Sequence, residues 1–353
     1  ANRGHQQIPF PEFNDNLNSK NMDSAYFEIT GWPGYIPTPL ISLDKLASHC
    51  GVASVFYKDE SQRLNMKSFK ALGGAYAVAN LVAKQVAMGV DPESITVTTA
   101  TDGNHGRSVA WGAQQAGCRA EIYIHEHVSE QRADAMATFG AKVNRIKGNY
   151  EASLAACKAD AEANNWHIVS DTSWTGYREI PCDIMAGYSV MGREAVDQLG
   201  SAQLTHCFLP IGVGGMAAGI VAPLWRAMGA DFCRMISVES FMSACFLESV
   251  NAQTPQLVDI REETLMAGLS CGEISDLAWE ILQPSLHSCL SITDNAIAPL
   301  MAEFADGTFG GGSIEAGECA TAGVAALLAA NRDPALWKSL EFGPDSVVLL
   351  IGT

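Results

Sequence analysis

Three segments of this chain hold residue types whose spacing suits chemistry. The first is Lys67-Ser68-Phe69-Lys70-Ala71-Leu72-Gly73-Gly74. Lys70 stands between an aromatic ring and an apolar run. Burial disfavours an ammonium, so a lysine in such company is the type that attacks carbonyls and forms Schiff bases. Lys67 reads instead as a solvated charge. The second is Thr98-Thr99-Ala100-Thr101-Asp102-Gly103-Asn104-His105-Gly106. Asp102 and Asn104 are capping types, so this reads as a turn that caps a helix. Its hydroxyls and helix N–H groups also suit a carboxylate ligand. The third is Leu209-Pro210-Ile211-Gly212-Val213-Gly214-Gly215-Met216. Its glycines permit positive φ and close approach, and a helix start behind them offers N–H groups and a positive dipole end, which together make a phosphate cradle. Packing also places glycines at strand ends. A dinucleotide-binding turn belongs near the first strand, with an acidic residue about 20 positions later. Here the turn lies past mid-chain, but Glu239 ends the next strand and leaves that alternative open. No lysine follows the glycines as a P-loop requires.

The elements that must position these segments alternate. VASVFYKDE, ITVTTA, AEIYIHE, KVNRIKG, WHIVSD, THCFLP, MISVES and SVVLLIGT read as strands. SFKALGGAYAVANLVAKQVAMG, NHGRSVAWGAQQAG, SEQRADAMATFG, YEASLAACKADAEANN and MAAGIVAPLWRAMG read as helices. Strands alternating with helices of this length predict an α/β fold with parallel-rich sheets flanked by helices. Ligands of such sheets bind beyond the carboxyl ends of the strands, where all three segments fall. DGTFGGG at 306–312 reads as the most flexible loop, and GWPGYIPTPL at 31–40 as extended.

Composition bounds the rest. The chain has 353 residues, 48% hydrophobic and 17% charged, enough for two domains or one large one with a buried core. A net charge of -17 gives no field that attracts nucleic acid. Ten scattered cysteines show neither a disulfide framework nor zinc spacing, so a reducing compartment is expected. His125 and His127 have no partners at metal spacing, and no metal is expected. The N-terminus lacks a signal-peptide core and no apolar run spans a bilayer, so a cytoplasmic protein without membrane contact is expected.

Taken in order, the three segments resemble the fold type II, tryptophan-synthase-like enzymes that use pyridoxal 5'-phosphate (PLP). Their usual loop is Ser-Gly-Asn-His-Gly; here it begins with Asp102. That aspartate, with GNHGRSVAWGAQQAG, SDTSWTGYREIP, MAGLSCGE, DLAWEIL and AGECATAGVAALLAA, makes the chain similar to the diaminopropionate ammonia-lyase family. The resemblance implies a large PLP-binding domain from 1–74 and 170–353 and a small domain from 75–169. It implies that Lys70 carries PLP, with Phe69 beside it, and that Asn104 bonds the phenolic oxygen. Gly212, Val213, Gly214, Gly215 and Met216 would hold the phosphate, and Thr353 would lie near the pyridine nitrogen. Asp102 and Asp171 would stand at the substrate, with Thr99, Ala100 and Thr101 taking its carboxylate. A homodimer is implied as well. The family pattern runs on with a Ser-Thr-Glu-Gly-type loop, whereas this chain ends Leu350-Ile351-Gly352-Thr353.

The chemistry so implied is β-elimination from a small amino acid. Asp102 in place of serine would attract a second ammonium and serve as an acceptor on the face opposite Lys70, which fits a diamino acid of either hand. Asp171 reads as a partner of the distal ammonium, as a carboxylate sharing a proton with Asp102, or as a turn residue. His105 reads as a support for Asn104 or the phosphate region, and Trp174 and Tyr177 as pocket wall or core. The alternatives are a dehydratase or racemase for serine, threonine or hydroxyaspartate, and a silent PLP-binding protein.

Overall fold

The structure is a computed structural model that describes residues 1–13 and 15–352. In chain order the strands are β1 (Leu40–Ser42), β2 (Ser54–Asp59), β3 (Thr96–Ala100), β4 (Arg119–His125), β5 (Lys142–Ile146), β6 (His167–Ile168), β7 (His206–Pro210), β8 (Arg234–Ser240), β9 (Leu286–Ile292) and β10 (Val347–Gly352). The α-helices are α1 (Ser19–Thr30), α2 (Asp44–Cys50), α3 (Lys70–Ala87), α4 (Asn104–Ala116), α5 (Glu130–Ala137), α6 (Tyr150–Asn164), α7 (Glu179–Leu199), α8 (Gly215–Met228), α9 (Cys245–Ala252), α10 (Asp276–Ser285), α11 (Ile297–Ala305), α12 (Ala322–Arg332) and α13 (Pro334–Ser339). The α/β class with parallel-rich sheets is what the alternating pattern predicts. Two compact units result. One is Ala1–Phe13, Pro37–Arg63 and Met191–Thr353; the other is Asn14–Ile36 and Leu64–Val190. The second unit is wider than 75–169 because α1, the start of α3 and most of α7 pack into it.

The first unit holds a six-stranded sheet in the order β1-β2-β10-β7-β8-β9. Only the edge strand β1 is antiparallel to its neighbour. Val55, Phe208, Ile236, Val348 and Leu350 are buried on this sheet with Val324 and Leu327 of α12. Each such side chain contributes about 1.5–3 kcal/mol through burial. A charged cluster lies inside the same unit. Lys58 Nζ bonds Glu194 Oε2 at 2.6 Å and Gln198 Oε1 at 2.8 Å. Arg63 bonds Glu60 Oε2 at 2.8 Å and Glu194 Oε1 at 2.7 Å. Burial pulls the Lys58 amine below its ordinary pKa, against the pull of Glu194 and Glu60.

The 306–312 loop belongs to this unit and is anchored, contrary to its flexible look. Phe309 is buried, and its carbonyl accepts the N–H groups of Lys45 and Leu46, both at 3.1 Å. Its glycines let backbone lie against the turn into α2 where a side chain would collide.

The second unit holds a four-stranded sheet in the order β5-β4-β3-β6, parallel throughout. Val97, Ile122 and Ile124 are fully buried. Here α3 and α4 pack closely because a Cβ at Gly112 would stand 2.7 Å from the Cα of Ala75. That contact fixes the start of α3, where Lys70 sits, against α4, which begins at Asn104. β6 is shorter than WHIVSD predicts. Tyr177 Oη donates to the Ile168 carbonyl at 2.9 Å and accepts the Ser170 N–H at 2.8 Å, so the chain leaves the sheet after Ile168.

Candidate active site

Lys70 is the first residue of α3. Its Nζ lies 5.4 Å from the Phe69 ring centre and 5.8 Å from that of Tyr188, a cation–π arrangement on two sides. Phe69 is buried and meets Tyr188 edge-on at 5.0 Å. The main chain of Lys70 is held as well. Ser108 Oγ donates to its carbonyl at 2.6 Å and accepts the Ala75 N–H at 3.0 Å, and Ser68 Oγ accepts the Lys70 N–H at 3.2 Å.

Asp171 supplies the charge partner. Its Oδ2 lies 2.5 Å from Lys70 Nζ, and both side chains are about three-quarters buried. Burial would raise the Asp171 carboxyl, but the Lys70 ammonium outweighs it and holds the group well below the usual carboxylate range. In this structure the partner of Asp171 is Lys70. His105 Nε2–H donates to the Val169 carbonyl at 2.9 Å, and its Nδ1 faces Asp171 Oδ2 at 4.0 Å. Burial lowers its pKa, so the ring is neutral with Nδ1 as a lone pair. Tyr177 clasps residues 168–170 from the other side, and Trp174 stacks on it at 4.1 Å. Together His105 and Tyr177 grip the segment that presents Asp171.

Asp102 and Asn104 are exposed in the β3–α4 turn. Asp102 Oδ1 lies 3.0 Å from His125 Nε2, a pairing absent from the sequence reading. The threonines are mostly engaged within the protein. Thr99 is buried and its hydroxyl lies 3.4 Å from the Ala100 carbonyl. Ala100 packs with Tyr123 and Cys157. Thr101 Oγ1 accepts the N–H groups of Gly103 and Gly106, both at 3.2 Å, so it caps α4. The N-cap position of α4 is Gly103, so neither Asp102 nor Asn104, the capping types of this turn, occupies it.

The glycine turn joins β7 to α8 in the first unit. Gly214 has φ +98 at the N-cap of α8, with no side chain capping the helix. A Cβ at Gly212 would stand 2.8 Å from the Gly268 carbonyl and 2.9 Å from Cys271 Sγ; one at Gly214 would stand 2.8 Å from Ala278 Cβ. The Val213 carbonyl is taken by the Ser275 N–H at 3.0 Å. The turn is thus pinned by its carbonyl while Gly215 and Met216 open the helix. A cradle that only glycine can build, at an uncapped helix start, fits a phosphate. Gly214→Ala is expected to lose about 1–3 kcal/mol of stability and to retain less PLP, read by Tm and by cofactor content after dialysis.

Glu239, which kept a dinucleotide site open, is fully buried and accepts the N–H groups of Phe246 and Leu247 at 2.7 and 2.8 Å. Burial pushes its carboxyl up to about 8. It is spent on the start of α9 and is closed to a ribose. Thr353 lies outside the described residues. Among the described residues no cluster of His, Cys, Asp or Glu is placed to hold a metal, and no helix is long and apolar enough to cross a membrane. Ser108 and Tyr188 went unremarked in the sequence, and His125 was weighed only as a metal ligand; the GNHGRSV stretch carried a signal for Ser108.

Residues 32–352 match the family described as pyridoxal-phosphate dependent enzyme. The chain is 36% identical over 338 residues to the diaminopropionate ammonia-lyase of Escherichia coli K12, covering 91% of this chain and 84% of that one. The crystal structure of the Escherichia coli enzyme with an aminoacrylate–PLP azomethine intermediate superposes with a TM-score of 0.90 at 34% identity, covering 100% of this chain and 92% of that one. The same enzyme in complex with D-serine gives 0.90 at 33% identity, with the same coverage. The chain therefore belongs to the pyridoxal-phosphate dependent enzymes and, among them, to the diaminopropionate ammonia-lyase family.

Proposed function

We propose that this chain eliminates ammonia from 2,3-diaminopropionate, in the D form, the L form or both, to give pyruvate with both nitrogens released as ammonia. The observation that carries the reading is the Lys70–Asp171 salt bridge at the head of α3, with the Asp102 carboxylate on a neighbouring turn of the same unit. An amine that must move a proton is held by a carboxylate, and a further carboxylate is available to a second ammonium.

PLP, when bound through a Schiff base to Lys70, supplies the electron sink for the substrate α-carbon. Gly212, Val213, Gly214, Gly215 and Met216 would hold its phosphate, and Asn104 its phenolic oxygen, with Phe69 beside Lys70. Lys70 takes the α-proton from one face once its amine is released. Asp171 orients that amine, and neutral His105 keeps Asp171 in place. Asp102 draws the distal ammonium and takes the α-proton from the opposite face. Thr99, Ala100 and Thr101, at the end of β3, would stand at the substrate carboxylate. The protein acts as a cytoplasmic homodimer on a small amino acid.

Pyruvate release is expected to be faster with diaminopropionate than with serine, threonine or hydroxyaspartate, in a coupled assay of both enantiomers. Faster turnover of a hydroxy acid would replace this reading with that of a dehydratase. Asp102→Asn is expected to slow the D substrate more than the L substrate.

A further inference from the structure

We infer that His125 is a positioning residue for Asp102 and thereby governs turnover of the D substrate; this rests on the reading of Asp102 as the acceptor opposite Lys70. Asp102 stands on a turn with more than half of its side chain exposed. A carboxylate so placed samples several rotamers unless a neighbour selects one. His125, at the end of β4, takes Oδ1 at 3.0 Å. The ring itself is fixed by the main chain. The His127 N–H lies 3.3 Å from His125 Nδ1, which makes Nδ1 the acceptor and leaves the proton on Nε2, facing Asp102. On the other side Arg132 of α5 holds the Asp102 carbonyl at 3.3 Å. The carboxylate and its main chain are thus both gripped by neighbouring elements of the second unit. A proton acceptor needs such fixing, because misplacement by a fraction of a bond length is costly in rate.

His125 is a different kind of residue from Lys70 or Asp171: it touches neither. Its loss should leave proton transfer on the Lys70 face unaltered. His125→Phe keeps a ring but removes the donor, whereas His125→Gln restores an N–H at similar reach.

The test measures kcat with D- and L-diaminopropionate for the PLP-loaded wild type, His125→Phe, His125→Gln and Asp102→Asn. The expected result is a fall of about 10- to 100-fold for the D substrate in His125→Phe, with the L substrate slowed far less and His125→Gln recovering most of the loss. In the nitrogen-15 spectrum, with and without PLP, His125 should carry its proton on Nε2; a proton on Nδ1 overturns the inference. Equal losses on both substrates in His125→Phe also overturn it, because they mark a structural role. If Asp102→Asn selectively slows the D substrate and His125→Phe does not, His125 is dismissed while Asp102 stands. If Asp102→Asn spares the D substrate, both assignments fall together.

Discussion

Lys70→Ala is expected to lower pyruvate release by about 10³-fold or more and to abolish covalent attachment of PLP. The size follows from losing two contributions at once, the covalent link and a positioned proton carrier, the second alone being about 10²–10⁴-fold. Borohydride reduction of the wild type should fix the cofactor on the peptide that contains Lys70, read by mass spectrometry, and the variant should yield no such adduct. Lys70→Arg should not rescue, since a guanidinium stays protonated and is no nucleophile. The fold should survive both changes, because the start of α3 is held through main-chain bonds to Ser108 and Ser68 that the substitutions keep. An adduct on a different lysine would remove Lys70 from the centre of the mechanism.

Asp171→Asn is expected to lower kcat by about 10- to 100-fold with a smaller change in KM. A charged hydrogen bond at 2.5 Å is exchanged for a neutral one, and hydrogen bonds to charged groups contribute about 1.5–3 kcal/mol. The same pair has a pH signature. The folded Asp171 carboxyl titrates below its unfolded value, so the pair stabilises the fold fully above the ordinary carboxylate range, about pH 4. That contribution fades as pH falls through the lowered folded value. Urea unfolding of PLP-free wild type and Asp171→Asn should therefore show a constant difference from neutral pH down to about pH 4, narrowing below it. A difference that grows on acidification would mean that Asp171 is not held low by Lys70.

Local grammar accounts for what is legible in the chain. Strand runs such as ITVTTA and THCFLP are buried on both faces, so their apolar and β-branched character survives any tertiary detail, and β3 and β7 appear where they were read. β1 and β9 were not legible. Both are sheet edges, and β9 carries His, Ser and Cys on half-exposed positions, a pattern that also suits a loop. The end of β6 was misread because what stops it is a side chain nine residues on, Tyr177.

The sequence by itself determined which residues have reactive chemistry: Lys70 among apolar neighbours, Asp102 and Asn104 at a strand end, glycines before a helix. These are properties of contiguous residues, fixed by composition and backbone freedom. Tertiary structure alone decided the partners. Lys70 meets Asp171 across 101 positions, and Lys58 meets Glu194 across 136. Asp171 stands beside Lys70, and Asp102 beside His125. The reason is physical. Charge pairing depends on distances of a few ångströms, which sheet order and helix packing set, while the one-dimensional pattern records only which groups are available to pair.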